Sequence, residues 1–491
     1  MEERAEEVDN SLKKKTAKGL LFGGFSNVLQ QIIGFLFGIL LNRYFISEED
    51  QGKIAVIMIF PLIATALQES GFVVGLINKK NIQHKDYNAV FWCSLMISTV
   101  MYFLLFLAAP YIANFYNNPE LVSLYRFQFL SLWFGSLSVA HNAYLAKNLM
   151  VVERSKVMLL AVISSSIIGL IFASQGFAYW SLAIQTVAYT VLSSGLFFYY
   201  SNFRPSFNID FSPLKEIYKF SSKILVTNIF IHINNNIYAA VLGKFFPEKL
   251  IGNLNQASKW NIMGQSVITN MINNVLQPVL NQIADDENRQ IRVFRKILNF
   301  TAFTSFILLF GLATVAEDFI RITLTVKWIN TASYLRILCI GGAFATINNV
   351  FSNLIQTKGK SSIYMINTIA FGILQFTILI LCKDWGIEPA MIIITTLNVI
   401  WVFLWAIIIQ KYIAFSISNL FQDVFTYVIF AGLACYIAYW LSQSFDNMYL
   451  RFLICIFSSG LIYLALNRFF KPEILSEIIN FAKTSLGKKA S

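Results

Sequence analysis

The feature that most constrains this chain is a series of apolar segments, each as long as a membrane-spanning helix. A helix needs about 20 mostly apolar residues to cross a bilayer, and fourteen such segments can be placed along the 491 residues. Hydrophobic residues make up 56% of the chain and charged residues only 13%, whereas soluble domains carry about 25% charged residues. The sequence therefore predicts an all-α polytopic membrane protein with 14 transmembrane helices.

Short connections separate most of the predicted spans. The spans lie at residues 18–45, 52–77, 88–113, 121–146, 156–174, 178–200, 217–243, 251–282, 293–315, 332–356, 361–382, 387–411, 421–441 and 449–469. The longest connection contains Pro205 and Pro213 and indicates a linker between two halves. The predicted domains are an N-terminal six-helix lobe at 1–200, an inter-lobe linker at 201–216, a C-terminal six-helix lobe at 217–411, and two extra helices with a basic cytoplasmic tail at 412–491.

The distribution of basic residues predicts the orientation. With the N-terminus in the cytoplasm, 27 of the 38 Lys and Arg residues fall on cytoplasmic loops and termini. Basic residues collect on the cytoplasmic side of membrane proteins, so both termini are expected there. The formal charge of +12 is explained in this way, and no nucleic acid partner is expected. The charged residues 1–18 and the lack of a cleavage site predict that there is no cleaved signal peptide.

Residues 251–283 are much more polar than the other predicted spans and carry eleven Asn and Gln residues. On a helical wheel most of these amides share one half. An unpaired amide buried in lipid costs on the order of 2 kcal/mol, so this face is expected to meet water or partner helices. The favoured hypothesis is a hydrated cavity at mid-membrane. The alternative is a buried helix whose amides bond to neighbouring helices.

A weak internal repeat relates the first and seventh spans. When the two are aligned, Asn27 matches Asn228, Arg43 matches Lys244, Phe45 matches Phe246 and, one gap later, Gly52 matches Gly252. Because six helices separate the copies, the halves are predicted to be parallel repeats about an axis along the membrane normal, and transporters often bind substrate where such repeats meet.

The embedded polar residues give the predicted substrate pathway. Its members are Asn27, Gln31, Asn228, His232, Asn235, Gln256, Lys259, Asn270, Asn273 and Gln277. Glu69 is the clearest embedded acid, which indicates either an ion-coupling site or a helix-end acid paired with a Lys. His232 is either a proton relay or a packing residue, and Lys259 is either a ligand for an anionic head group or solvated. Glu317, Asp318, Arg321 and Lys327 are interpreted as a solvated face.

The sequence lacks the motifs of the common enzyme classes. There is no G-x-x-x-x-G-K-[ST] loop, no HExxH and no nucleophile elbow, so no catalytic residue is assigned. The five cysteines form no CxxC pair and are interpreted as packing residues, and no metal site or bound cofactor is expected. The polar cavity and the missing motifs favour a transporter, and a cation-coupled multidrug exporter and a membrane glycosyltransferase stay open as alternative functions.

Three stretches resemble the Wzx-type polysaccharide exporters of the multidrug/oligosaccharidyl-lipid/polysaccharide exporter superfamily. They are AKGLLFGGFSNVLQQIIGFLFGILLNRYFISEEDQGKIAV, ESGFVVGLINKKN and FFPEKLIGNLNQASK. The resemblance implies two six-helix lobes around a central cavity plus two C-terminal helices. It also implies a monomer in the bacterial cytoplasmic membrane that flips undecaprenyl-linked oligosaccharide by alternating access, with Na+ or H+ as the coupling cation. Its expected partners are lipid-linked oligosaccharide, membrane lipids, and the polymerase and chain-length proteins of polysaccharide synthesis.

Overall fold

The computed structural model describes residues 2–69, 72–79, 81–283 and 286–471 of the chain. Within these ranges the side chains of 2–22, 68, 69, 74, 78, 216–224, 271, 273–275, 277–279, 281 and 282 are not described. The described secondary structure is entirely helical and contains no strand. The predicted all-α class is therefore confirmed for this part of the chain.

The α-helices follow the predicted spans closely. They are α1 Glu2–Tyr44, α2 Glu48–Ala55, α3 Ile59–Glu69, α4 Phe72–Asn78, α5 His84–Phe115, α6 Val122–Lys147, α7 Val151–Ser174, α8 Ala178–Tyr200, α9 Ser212–Leu242, α10 Glu248–Gln282, α11 Glu287–Thr314, α12 Ala316–Thr323, α13 Asn330–Thr357, α14 Ser361–Leu381, α15 Ile387–Ile409, α16 Ile417–Leu420, α17 Thr426–Ser442 and α18 Met448–Phe470. A π-helical turn, Phe421–Phe425, joins α16 to α17.

Eleven helical segments within the described residues are long and apolar enough to cross a membrane. They include the segment Glu48–Leu67 and the two C-terminal segments Ile417–Ser442 and Met448–Phe470. The long helices α6, α9 and α10 are not among the eleven. The chain is thus a multi-pass membrane protein in which α10 keeps the length, but not the composition, of a lipid-facing span.

The second predicted span is interrupted, which the sequence analysis did not predict. Helix α2 ends at Ala55, a turn covers residues 56–58, and α3 begins at Ile59. Pro61 explains the break, because proline has no N–H to donate to the Ile57 carbonyl and its ring clashes with that carbonyl in a regular helix. At its start, α2 is capped by Ser47, whose hydroxyl accepts from the Asp50 N–H at 3.1 Å while Asp50 accepts from the Ser47 N–H.

The connection predicted as a linker is an ordered segment over residues 201–211, here named the strap. The Asn88 side chain of α5 donates to the Asn208 carbonyl at 2.9 Å and accepts from the Ser206 N–H at 2.8 Å. The Trp92 indole N–H also donates to the Ser206 carbonyl, at 2.8 Å. These bonds hold the strap against α5, so the connection is ordered despite its loop-like composition.

The chain divides into two compact units. The first contains the chain up to Gly252 together with Thr368–Phe376, and the second contains Asn253–Asn367 and the chain from Thr377 onwards. In the first unit, one core cluster packs Phe72, Leu76 and Phe91 against α6 residues and the strap residue Phe203. The division falls inside α10, so its first five residues belong to the first unit and the rest to the second.

In the second unit, polar contacts fix α17 and α18 to α11. The Arg295 guanidinium donates to both carboxylate oxygens of Asp423, at 2.7 and 2.9 Å. Arg451 of α18 also donates two hydrogen bonds to the carboxylate of Asp318 of α12. The bond from Nε to Oδ2 is 2.8 Å long. Between these pairs, the Tyr463 hydroxyl donates to the Phe303 carbonyl at 2.8 Å. The two C-terminal helices are therefore held to the unit at two charged pairs and along their length.

Candidate functional site

One face of α1 borders open space along the predicted pathway. Asn27 is exposed and Gln31 is half-buried. Farther along this face, a Cβ added to Gly34 or Gly38 would meet no atom within 4 Å. The spacing of these four positions places them on one side of the helix. The backbone of α1 at Gly34 and Gly38 is therefore not covered by a packed neighbour.

The amides of α9 divide into two groups. Asn228 and His232 are half-buried and Asn235 is exposed, as expected for a face that is partly open. Asn234 instead packs on α14, where its amide donates to the Thr368 carbonyl at 3.1 Å. A Cβ on Gly372 would overlap the Asn234 side-chain oxygen, so glycine makes room for this contact. Sequence reasoning did not separate this packing asparagine from its neighbours.

The first part of α10 in the second unit packs on α13 through its amides. Asn253 is buried and accepts from the Thr331 hydroxyl at 2.8 Å. One turn later Gln256 is 3% exposed, and Asn261 is 7% exposed beside Gly342, where no Cβ could fit. Within the described residues, Gln256 Oε1 and Asn261 Oδ1 accept no hydrogen bond. These two amide oxygens are therefore buried without a protein donor.

A third such oxygen lies on α13 itself. Asn348 donates to the Asn398 carbonyl at 3.2 Å, but its own Oδ1 accepts no bond from the described residues. A buried acceptor left unpaired costs about 1–3 kcal/mol, and buried polar groups are normally paired with protein or ordered water. These three oxygens are among nine buried side-chain amide oxygens of the described residues that accept no protein hydrogen bond, and hydroxyl donors of water or of a polar cargo can satisfy them.

The other predicted pathway residues of α10 lie in its middle and last part. Lys259 and Asn270 have exposed side chains. The side chains of Asn273 and Gln277 lie outside the described residues, and the same holds for Glu69 at the end of α3. The pathway assignment of all ten residues, and the ion-coupling assignment of Glu69, stay predictions.

The structure identifies buried acids that sequence reasoning did not single out as embedded. The pairs are Asp86 with Lys79 at 3.1 Å, Asp423 with Arg295 at 2.7 Å, Asp318 with Arg451, and Glu48 with Lys249 at 4.0 Å. The interpretation of Asp318 as part of a solvated face is wrong, because it is buried against Arg451 of α18. Lys327 is exposed and the Glu317 side chain is 44% exposed, in agreement with that interpretation.

The Glu48–Lys249 contact is the weakest of these pairs. The Glu48 side chain is buried, and its Oε1 accepts no hydrogen bond from the described residues. The remaining three acids form charge-assisted hydrogen bonds with their basic partners. Among these four buried acids, Glu48 is therefore the one with the weakest contact to a basic partner.

Comparison with known proteins places the chain in a family. The model of a family described as polysaccharide biosynthesis protein matches residues 40–333, more than half of the chain. The chain belongs to this family. The match contains the interrupted second span, the strap and the whole of α10, so it covers most of the helices that carry the predicted pathway.

Two curated relatives agree with this assignment. The chain is 24% identical over 359 residues to an uncharacterized membrane protein in the cps region of Klebsiella pneumoniae, covering 71% of this chain and 73% of that protein. It is 23% identical over 359 residues to the lipopolysaccharide biosynthesis protein WzxC of Escherichia coli K12, covering 72% of each. The predicted resemblance to Wzx-type exporters is confirmed.

Among solved structures, the fold is similar to that of the lipid II flippase MurJ in an inward closed conformation. The TM-score is 0.76 at 18% identity, covering 93% of this chain and all of the MurJ chain. At this identity the similarity describes the fold alone. The prediction that this protein is not an enzyme agrees with the family and the curated relatives.

Proposed function

We propose that this protein flips lipid-linked oligosaccharide repeat units across the cytoplasmic membrane for surface polysaccharide synthesis. The carrier lipid in the proposal is undecaprenyl diphosphate, and the route is alternating access between two six-helix lobes around a central cavity. Fourteen membrane spans with both termini in the cytoplasm complete the proposed architecture. The family membership and the similarity to WzxC support this function, and the basic-residue distribution supports the orientation.

The observation that carries the proposal is the set of buried amide oxygens without protein donors at Gln256, Asn261 and Asn348. An oligosaccharide is rich in hydroxyl donors, which can satisfy such oxygens without any charge on the protein. A cationic drug would instead be bound by free carboxylates, but the buried acids Asp86, Asp318 and Asp423 each pair with a basic residue, and buried Glu48 lies 4.0 Å from Lys249. The chemistry of the described site therefore favours a sugar cargo over a cation.

Coupling to Na+ or H+ is part of the proposal, with Glu69 as the coupling residue predicted from the sequence. We also propose that the protein acts as a monomer and works with the polymerase and chain-length proteins that use its cargo. Neither point is needed for the flippase assignment itself.

Deletion of the gene tests the function directly. The expected result is loss of surface polysaccharide and accumulation of lipid-linked repeat units on the cytoplasmic leaflet, because cargo is still made but no longer crosses. Surface polysaccharide is measured by immunoblot, and the repeat units by mass spectrometry of lipid extracts. Restoration by the plasmid-borne gene is the control. Normal surface polysaccharide in the deletion strain, or lost drug resistance as its sole phenotype, would overturn the proposal.

A further inference from the structure

A polar cavity lies in the second unit, between the ends of α11 and α17 and the starts of α12, α13 and α18. Its volume is about 200 Å³, and its lining includes Glu317 and Asp318 of α12, Arg336 of α13, Gln443 after α17 and Arg451 of α18. No residue of the predicted substrate pathway lines it. The cavity is therefore a site that the proposed transport function does not use.

The Asp318–Arg451 pair forms the fixed wall of the cavity. Arg451 donates to both carboxylate oxygens of Asp318, and both side chains are mostly buried. A two-bonded pair of arginine and carboxylate is strong and geometrically specific. Because each member is occupied by the other, we expect this pair to shape the cavity and not to bind a ligand.

Arg336 keeps unused hydrogen-bonding capacity. Within the described residues its one hydrogen bond runs from Nη2 to Glu317 Oε2 at 3.3 Å, whereas a guanidinium has five N–H donors. Its side chain is 45% exposed. Glu317 is more fully occupied, because Arg321 also donates to its Oε1 from Nε and Nη2, at 3.3 and 2.9 Å. The cavity therefore offers the remaining N–H groups of Arg336 to a ligand.

The charges around the cavity favour an anionic ligand. The carboxylates of Glu317 and Asp318 are paired with three guanidinium groups, those of Arg321, Arg336 and Arg451, so the cluster has a net charge of +1. The planar donors of arginine match the oxygens of a phosphate group. A phosphate diester carries one negative charge, and it would both neutralise the cluster and accept from Arg336.

Aromatic side chains indicate that the cavity lies at the level of the lipid head groups. Tyr439 lines the cavity and is exposed, as are Tyr436 and Trp440 on the same helix, α17. Tyr and Trp collect where head groups meet acyl chains. Earlier turns of α17 expose the apolar side chains of Ile429 and Leu433. The cavity is thus continuous with a helix surface that suits acyl chains.

We propose that this cavity binds the phosphate of an anionic phospholipid, with Arg336 as the main donor and the acyl chains along α17. In the proposed orientation the lipid belongs to the outer leaflet. The site goes beyond the proposed transport function and does not depend on it. A ligand that binds only the folded state stabilises it, so the bound lipid raises the stability of the protein.

Lipid titration of the purified full-length protein in detergent tests the site. The rise in Tm with added dioleoylphosphatidylglycerol gives an apparent Kd. Arg336→Gln is expected to raise this Kd about tenfold, the effect of losing one charge-assisted hydrogen bond. Glu317→Gln is expected to lower it, because a carboxylate that repels the phosphate is removed. Lys327→Gln is the matched control and should leave the Kd unchanged, since exposed Lys327 lies between α12 and α13 but does not line the cavity.

An unchanged Kd for Arg336→Gln would overturn the site, provided that its Tm without lipid shows an intact fold. An equal rise for Lys327→Gln would overturn it as well, because it would show general attraction to the basic residues. Arg336→Lys keeps the charge but loses the planar donors, and its Kd should be intermediate. If Arg336→Gln does not fold, Glu317→Gln decides alone, and an unchanged or higher Kd would contradict the proposal.

Competition identifies the source of the phosphate. Inorganic phosphate and glycerol 3-phosphate should not displace the lipid, because they lack acyl chains, and displacement would show a site for soluble phosphate instead. Zwitterionic dioleoylphosphatidylcholine should bind more weakly than the anionic lipid, and equal binding would contradict the charge argument. None of these assays uses cargo, so failure of the lipid site can be told from failure of the proposed function in the deletion strain.

Discussion

At the scale of single residues, amide side chains perform two different tasks in this protein. Asn234 and Asn253 are structural, because each makes a hydrogen bond to a neighbouring helix of its own unit. Gln256, Asn261 and Asn348 present buried oxygens without described donors. Asn234 belongs to both groups, because its own Oδ1 also has no described donor, so an unpaired oxygen alone does not separate packing amides from those available to a cargo.

The first residue-scale prediction concerns Asn270, which is exposed on α10. Asn270→Leu is expected to lower export at an unchanged amount of protein in the membrane, because it removes a hydrogen-bonding group from the pathway and leaves the packing intact. Export is measured by complementation of the deletion strain. The exposed Asn330 at the start of α13 is the matched control, and Asn330→Leu should export normally. Wild-type export by Asn270→Leu would remove this residue from the pathway.

The second residue-scale prediction concerns the Arg295–Asp423 pair. Arg295→Ala leaves the buried Asp423 carboxylate without its partner, and breaking a buried pair in this way costs about 3–5 kcal/mol. The loss of stability is expected at the low end of this range, because the Arg295 side chain is 34% exposed. A lower Tm of the purified protein in detergent is expected. Arg321→Ala is the control, since its helical pair with exposed Glu317 contributes only about 0.5 kcal/mol. Equal Tm values for the two variants would contradict the prediction.

At the scale of elements, proline and side-chain contacts decide where helices end and what holds the connections. Pro61 interrupts the second span, and Asn88 and Trp92 hold the strap on α5. In the strap, hydrogen bonds from Ser212 lower the pKa of the Asp210 carboxyl, which stays charged at the start of α9. The strap also leaves Phe207 89% exposed. Its order therefore comes from polar contacts of its backbone together with burial of Phe203 in the core cluster.

The element-scale prediction is that Asn88→Ala releases the strap. The substitution removes two hydrogen bonds to the strap, each worth about 1 kcal/mol. Faster cleavage within residues 201–211 is expected in limited proteolysis of detergent-solubilised protein, followed by mass spectrometry. Asn148→Ala is the control, because the Asn148 amide bonds only to the Tyr144 carbonyl of its own helix. Identical cleavage rates would show that these two bonds do not hold the strap.

At the scale of the whole molecule, the proposed topology has fourteen spans, whereas eleven of the described helices are clearly apolar enough to cross. The three long helices outside that group include α10, whose amides are the basis of the proposed pathway. A helix that faces polar groups inside a membrane protein can cross the bilayer without an apolar composition. The low hydropathy of α10 is therefore compatible with a spanning position inside the protein.

Cysteine labelling tests this topology. Ser444 follows α17 and Lys360 precedes α14, and both side chains are exposed. In intact cells, Ser444→Cys is expected to react with an impermeant maleimide, while Lys360→Cys should react only after permeabilisation. Three spans separate the two loops, so the loops lie on opposite sides of the membrane. The reverse pattern would place both termini outside, and labelling of both sites from one side would contradict the number of spans between them.

The sequence by itself determined the helical class, the positions of the long helices and the family. These properties depend on local composition, because a run of apolar residues of fixed length has few alternatives in a bilayer. The amide-rich α10 was also evident, since its polarity differs from that of every other span.

Tertiary structure alone decided which charged and amide groups are paired. Asp318 meets Arg451 and Asn234 meets Thr368 across more than a hundred residues of chain, and composition around one member carries no information about the other. The contact between Gly52 and Gly252, at each of which a Cβ would overlap the backbone of the other helix, is of the same kind: the alignment matched the two glycines, but only the fold brought their backbones together. Local sequence sets where a helix forms, whereas the choice of its neighbours depends on how distant surfaces fit.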